Sequence, residues 1–212
     1  MIRSGDLLGN QRLAISNWQS DGTGNGQRAP GGEYSSVMFT PSDEVYDAIR
    51  SLRVVRAYTD EPITPGTLDE ILDAGRWTGS SKNTQGWQLV VIDDAAQREQ
   101  VASAGHYTQP VRDAKVAVCL VKTPQGNDFD IGRLAQNLML AAAARGIGSC
   151  PVTLHLDSRA REVLELPDGH QCRYAVALGH PDPVGEKAQR KERRARGVTG
   201  RKPTEEVVRH GG

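Results

Sequence analysis

Between a helix-like run and the apolar strand Gln88-Leu89-Val90-Val91-Ile92, the chain holds Gly79-Ser80-Ser81-Lys82-Asn83-Thr84-Gln85-Gly86-Trp87, small or polar almost throughout. A turn needs only about two to four such residues, so a loop of this length reads as one built to hold a ligand. It offers hydroxyls at Ser80, Ser81 and Thr84, carboxamides at Asn83 and Gln85, a cation at Lys82 and an indole at Trp87. Carboxamides donate and accept at once. That suits a flat heterocycle edged with carbonyl oxygens and ring nitrogens, such as a pyrimidine dione, and a flavin is one. The competing reading is a polar surface loop capped by a buried Trp87.

The elements that must position this loop follow from caps and periodicity. Thr40-Pro41-Ser42-Asp43 carries an N-cap, a proline at the first helical position and an acid at the third, which starts a helix ending near Leu52. Thr64-Pro65 repeats the signal, and Leu68, Ile71, Leu72 and Gly75 share one face of a second helix that ends near Trp77. Further along, the pattern predicts strands over 88–92, 115–121, 150–154 and 172–178 and helices over 94–104 and 157–166. Ile131, Leu134, Ala135, Leu138 and Ala142 mark the longest helix, apolar nearly all round and stopped by Gly146. Alternation of strands and helices, by itself, suggests an α/β parallel sheet.

The chain has 212 residues and no formal net charge, which fits one domain and argues against a polyanion as principal partner. Residues 1–40 read as a disordered or extended segment, and residues 41–208 as the folded domain, with a basic C-terminal arm over 185–208. Neither a secretory signal nor a membrane span is legible, which points to the cytoplasm and to no membrane partner. Cys119, Cys150 and Cys172 are too widely spaced for a disulfide framework or a zinc site, and read as buried thiols. The histidines are scattered, so no metal is expected. The basic run 187–202, offset by Glu186 and Glu192, reads first as a solvated helix face; a phosphate contact from Arg201 or Lys202 and nucleic-acid binding are its alternatives, the last disfavoured by the neutral net charge.

Arg53-Val54-Val55-Arg56-Ala57-Tyr58 upstream of the loop, taken with the loop itself, resembles the start of the nitroreductase family. The run from Asp130 to Ala142 leading into Gly146-Ile147-Gly148-Ser149-Cys150-Pro151 resembles that family's central helix and following turn. Ala175-Val176-Ala177-Leu178-Gly179 and Gly200-Arg201-Lys202-Pro203 resemble its last core strand and C-terminal arm. The resemblance implies a three-layer α+β fold, with a mixed, mainly antiparallel sheet flanked by helices, and an intertwined homodimer with FMN at the subunit interface.

Residue by residue, the resemblance assigns Arg53 and Arg56 to the FMN phosphate and ribityl chain, and Arg201 to the same phosphate. Guanidinium suits the phosphate because its fork donates two parallel hydrogen bonds. Ser80, Asn83 and Gln85 match residues near the flavin ring and ribityl hydroxyls, while Pro151, Thr153 and Leu154 match a segment lying against the ring. The implied activity is ping-pong hydride transfer from NADH or NADPH through flavin N5 to a small electron acceptor such as a nitroaromatic or quinone, with no catalytic side chain required. A non-catalytic flavin carrier of the same fold is the alternative. Three departures bear on it. Leu52 and Val54 stand where relatives carry arginine and serine, removing two phosphate contacts, and Gly86 replaces a proline, which is expected to loosen the loop.

Overall fold

A computed structural model of the chain describes residues 42–197 and 200–211. The chain divides into two compact units, Met1–Asp47 and Ala48–Gly212. Of the first, the described part is the opening of helix α1, Asp43–Ser51, whose first turn carries Asp43 and Glu44. The Thr40 cap and the reading of residues 1–40 lie outside the described residues.

The second unit follows the local signals closely. Thr64 caps helix α2, Pro65–Arg76, its hydroxyl accepting from the Thr67 amide at 3.2 Å, with Pro65 in the first position. A short 3-10 turn, Ser81–Asn83, lies in the polar loop before strand β1, Trp87–Ile92. Helix α3, Ala95–Ala102, is capped by Asp94, and helix α4, Gln109–Asp113, follows with Pro110 in its first turn. Strand β2, Val116–Lys122, leads to helix α5, Asp128–Ala144, capped by Asn127 and closed by Gly146 at φ 72°. Strand β3, Gly148–Thr153, helix α6, Asp157–Val163, and strand β4, Gln171–Gly179, complete the core. Helix α7, Pro183–Ala195, and the short helix α8, Thr204–Val207, follow.

The sheet has four strands in the order β1-β2-β4-β3, and every neighbouring pair is antiparallel. Alternation counts how often a chain crosses between layers but not the direction in which it re-enters the sheet, so the parallel arrangement it suggests is not the one adopted. The α+β reading holds.

Period-two alternation sends the two faces of β2 into separate cores. Val116, Val118 and Leu120 pack with Ile71, Leu134, Leu138 and Leu178 under α2 and α5. Ala117, Cys119 and Val121 pack with Val101, Val111, Val152 and Leu154 under α3, α4 and α6. Each fully buried Leu, Ile or Val contributes about 1.5–3 kcal/mol, so the uninterrupted apolar run of β2 is what three layers require. Cys119 and Cys172 are core residues, as their apolar surroundings in the sequence suggest.

The loop before β1 is not loosened by Gly86. A side chain at Gly86 would begin 2.4 Å from the Gly126 Cα, and one at Gly126 would begin 2.0 Å from the Gly86 carbonyl oxygen. The same oxygen accepts from the Thr123 amide at 3.1 Å, so two backbones meet here with no room for Cβ. Gly126→Ala is expected to lower stability by about 1–3 kcal/mol in urea unfolding, the range for overpacking a closed site; an unchanged midpoint would mean the contact is slack.

Candidate functional site

The segment carrying the two arginines runs along the outer edge of the sheet. Val55 donates its amide to the Ser149 carbonyl at 2.9 Å, and Tyr58 forms an antiparallel bridge with Pro181. Gly148 and Gly179 make space for it, since a Cβ at either would lie 2.7 Å or 2.8 Å from the Val55 or Tyr58 side chain. Leu52 packs against the core under α5, and Val54 bridges both cores. Packing therefore accounts for the apolar residues at these two positions.

Arg53 is exposed and turns one guanidinium nitrogen back onto the Arg50 and Leu52 carbonyls, at 2.6 Å and 2.8 Å, at the end of α1. It also lines a groove of about 380 Å³ with Leu140, Ala143, Ile147 and Gly148, and no acid is among the lining residues. Arg56 is half-buried, and its backbone amide donates to Glu186 Oε1, as does that of Ala57 at 3.0 Å. Glu186, only 5% exposed, comes from α7, and Arg190 and Arg193 stand 3.7 Å from its other oxygen. The sequence reading counted this acid merely as an offset to nearby cations; the structure makes it the anchor of the basic helix.

Two weak acids, half-buried Tyr58 and buried Cys150, sit beside Arg56. Burial, reinforced by Cys150 and Glu186, holds the Tyr58 hydroxyl far above its ordinary range despite Arg56. Burial also raises the Cys150 thiol from 9.0 to about 11, with Glu186 adding to the rise while Arg56 and Arg193 oppose it.

The β3 residues divide. Leu154 donates its amide to the Arg173 carbonyl at 2.8 Å and is 1% exposed, so it serves the core and offers a ligand neither group. Antiparallel alternation then directs the Thr153 amide away from β4, toward the open edge. Pro151 is exposed on this edge strand, where its missing N–H costs no ladder bond. Beyond them the His106 and His155 rings lie 5.0 Å apart.

Ser80, Asn83 and Gln85 stay together in a loop that braces part of its own backbone. Ser80 Oγ accepts from the Gln85 amide at 2.9 Å, the Ser80 carbonyl from Asn83 at 3.0 Å, and the Ser81 carbonyl from Thr84 at 3.1 Å. Lys82, Asn83 and Gln85 all adopt left-handed φ, at 53°, 55° and 46°. Two α5 residues that the sequence reading missed hold the loop's base. Arg133 donates to the Gly79 carbonyl at 2.7 Å, and Asn137 to Thr78 Oγ1 at 2.8 Å. Their signal was available: polar residues at i and i+4 interrupting an apolar helix.

One chain thus brings together Arg53, Arg56, Pro151 and Thr153 at one edge, and Ser80, Asn83 and Gln85 at another place, beside the opposite half of α5. From Arg133 to Ala144 the helix rises roughly 16 Å. Arg201 is exposed in the stretch before α8 and makes no ion pair among the described residues. Among those residues no three His, Cys, Asp or Glu side chains converge on a metal position, and no helix is long and apolar enough to cross a membrane.

This geometry can be set beside known proteins. The chain matches the Nitroreductase family over residues 49–124 and 111–180. It belongs to the nitroreductase family. Among relatives of this nitroreductase-family chain, a protein of Methanothermobacter thermautotrophicus named as an NADH dehydrogenase/NAD(P)H nitroreductase is 30% identical over 149 residues, 65% of this chain and 78% of the relative. A protein from Desulfovibrio desulfuricans, described as a nitroreductase in complex with FMN, superposes with a TM-score of 0.67 at 27% identity, covering 81% of this chain and 99% of the other. Nitroreductase A of Vibrio parahaemolyticus shares the fold with a TM-score of 0.69 at 24% identity, over 81% of this chain and 77% of its own.

The Cys150 thiol gives a pH prediction with a definite sign. Its folded-state pKa is raised, so its contribution is fully present below about 9.0 and lost as pH rises through about 11. Stability should decline across that window, and Cys150→Ala should flatten the decline; identical pH profiles for the two proteins would show that the thiol is not what titrates.

Proposed function

We propose that the chain is an FMN-dependent oxidoreductase that draws reducing equivalents from NADH or NADPH. The observation that carries this reading is the groove beside β3, where the Arg53 cation, small residues and the outward edge of the strand meet with no acid in the lining. An anionic tail fits such a lining, and a flat ring fits the edge where Pro151 and Thr153 face outward. The donor set therefore suits FMN. Arg53 and Arg56 would hold the phosphate and ribityl chain, joined by Arg201 from the arm. Thr153 would offer its amide to the ring, and Ser80, Asn83 and Gln85 would read ring and ribityl edges through hydroxyl and carboxamide groups.

When bound, FMN would supply two-electron redox chemistry between the nicotinamide and an electron-poor acceptor such as a nitroaromatic or quinone. The chain's own task is to bind, orient and polarise. An amide aimed at developing negative charge stabilises it without reorganising. No side chain of the site is assigned a proton-transfer role.

A homodimer belongs to the same reading. The two groups of candidate residues flank opposite halves of α5, and Ala143 and Ala144 of that helix are exposed in the single chain. A second copy would bring a loop from one subunit to a groove of the other, which a lone chain does not do. The names of the relatives support the nicotinamide and the flavin, and the geometry supports the phosphate end.

The decisive experiment is a visible absorbance spectrum of the purified protein before and after loading with FMN and desalting. Retained flavin bands, with oxidation of NADH or NADPH by a quinone, support the reading. Retained flavin without turnover supports a flavin carrier instead. Arg53→Ala is expected to weaken FMN binding about fivefold, the scale of an exposed ion pair, and Arg201→Glu to weaken it further by placing a carboxylate near phosphate. Unchanged affinity in both would remove the phosphate assignment.

A further inference from the structure

We propose that Lys82 selects for an anionic group on the small molecule that shares the site with the flavin, an inference that rests on the FMN reading above. Lys82 is the one cation of the loop 79–87. It is exposed and makes no hydrogen bond or ion pair among the described residues. Lys115 and Lys122, by contrast, each meet a carboxylate, at 2.7 Å and 2.8 Å.

The backbone beneath it is unusual. Lys82 is held at φ 53° and ψ 20°, a left-handed conformation that costs an L side chain and is ordinarily left to Gly or Asn. Such strain persists only where the surroundings over-determine it. Here they do, through the Ser80 hydroxyl on the Gln85 amide, the Gly86–Gly126 backbone contact and the grip of Arg133 and Asn137 on the loop's base. A flexible tip would blur the position of its charge, whereas this one fixes the root of the lysine between Ser80 on one side and Asn83 and Gln85 on the other.

Arg133, at the base of the same loop, lies over the Phe129 ring at 5.7 Å and pairs with Asp130 at 3.8 Å, so among the described residues it leaves Lys82 as the unpaired cation there. An ammonium on a four-carbon stem reads charge more than shape. Lys82 therefore serves recognition and carries no chemical step. Two sources present the required anion: a carboxylate or sulfonate on the acceptor, and the additional phosphate that distinguishes NADPH from NADH. Because the ammonium is exposed, its effect is modest and screened by salt.

The test uses FMN-loaded protein, wild type and the Lys82→Gln and Lys82→Arg variants. One arm compares kcat/KM for para-nitrobenzoate and para-nitrobenzamide, which differ chiefly in charge. The other compares NADPH with NADH, and an equilibrium titration of benzoate followed by flavin absorbance reads binding without turnover. In Lys82→Gln the preference for the anionic member of one pair should fall about two- to fivefold, Lys82→Arg should restore it, and added salt should close the gap. A fall confined to the nitro pair assigns the anion to the acceptor, and one confined to the dinucleotide pair assigns it to the phosphate. If both preferences are unchanged while FMN is retained and turnover proceeds, Lys82 has no such role and the FMN reading stands. Failure of the wild type to retain FMN overturns both.

Discussion

Both faces of the β2–β4 pair are apolar and must be covered, and most of the architecture follows from that requirement. Val118, Leu120, Val176 and Leu178 demand one helical layer, and Cys119, Val121, Ala175 and Ala177 demand the other. With the faces filled, a ligand can meet the sheet only at an edge or an end. The β3 edge is open enough to offer the Thr153 amide, yet Pro151 denies it a continuous row of donors and so protects it from pairing with another strand. Function is pushed to the periphery by the need to bury the centre.

A buried carboxylate ties that periphery together. Burying a lone charge costs several kcal/mol, and Glu186 offsets the cost by accepting two consecutive amides and drawing two guanidinium groups toward its other oxygen. The consequence is mutual. The segment bearing Arg53 and Arg56 gains an anchor beyond the sheet edge, and α7, whose other cations face solvent, gains a reason to lie where it does. A helix this basic has little apolar surface with which to dock, so a polar contact takes over that work.

The sequence made legible whatever rests on local chemistry. Thr64, Asp94 and Asn127 cap helices where their side chains find nearby amides, and the apolar runs of β2 and β4 mark strands buried on both faces. The alanine-rich α5, in contrast, is covered on one face only in the single chain, with Gly132, Arg133 and Gln136 open on the other. Non-local placement escaped notice for a physical reason. Nothing within a few residues of Gly86 announces that Gly126 will press on it, nor does any neighbour of Glu186 reveal that two amides far away in the chain await it. Leu154 illustrates the same limit: its resemblance to a ring-facing segment is a matter of position in the chain, while strand alternation turns it inward and leaves Thr153 facing out.

The polar loop shows how strain and recognition depend on each other. Three residues with left-handed backbone cost stability, on the order of 1–3 kcal/mol each, and a loop free to relax would shed that cost. It is not free, because the Asn83, Thr84 and Gln85 amides are bonded within the loop and its base is clamped by α5 and by Gly126. Above that frame, the carboxamides of Asn83 and Gln85 and the ammonium of Lys82 stand exposed. A rigid frame that presents exposed side chains can be retuned one residue at a time, since a change at Lys82 alters charge while the turn beneath it is braced by other residues. The loop's exposed side chains can therefore vary without disturbing its frame, whereas the geometry of the β3 edge is tied to the sheet.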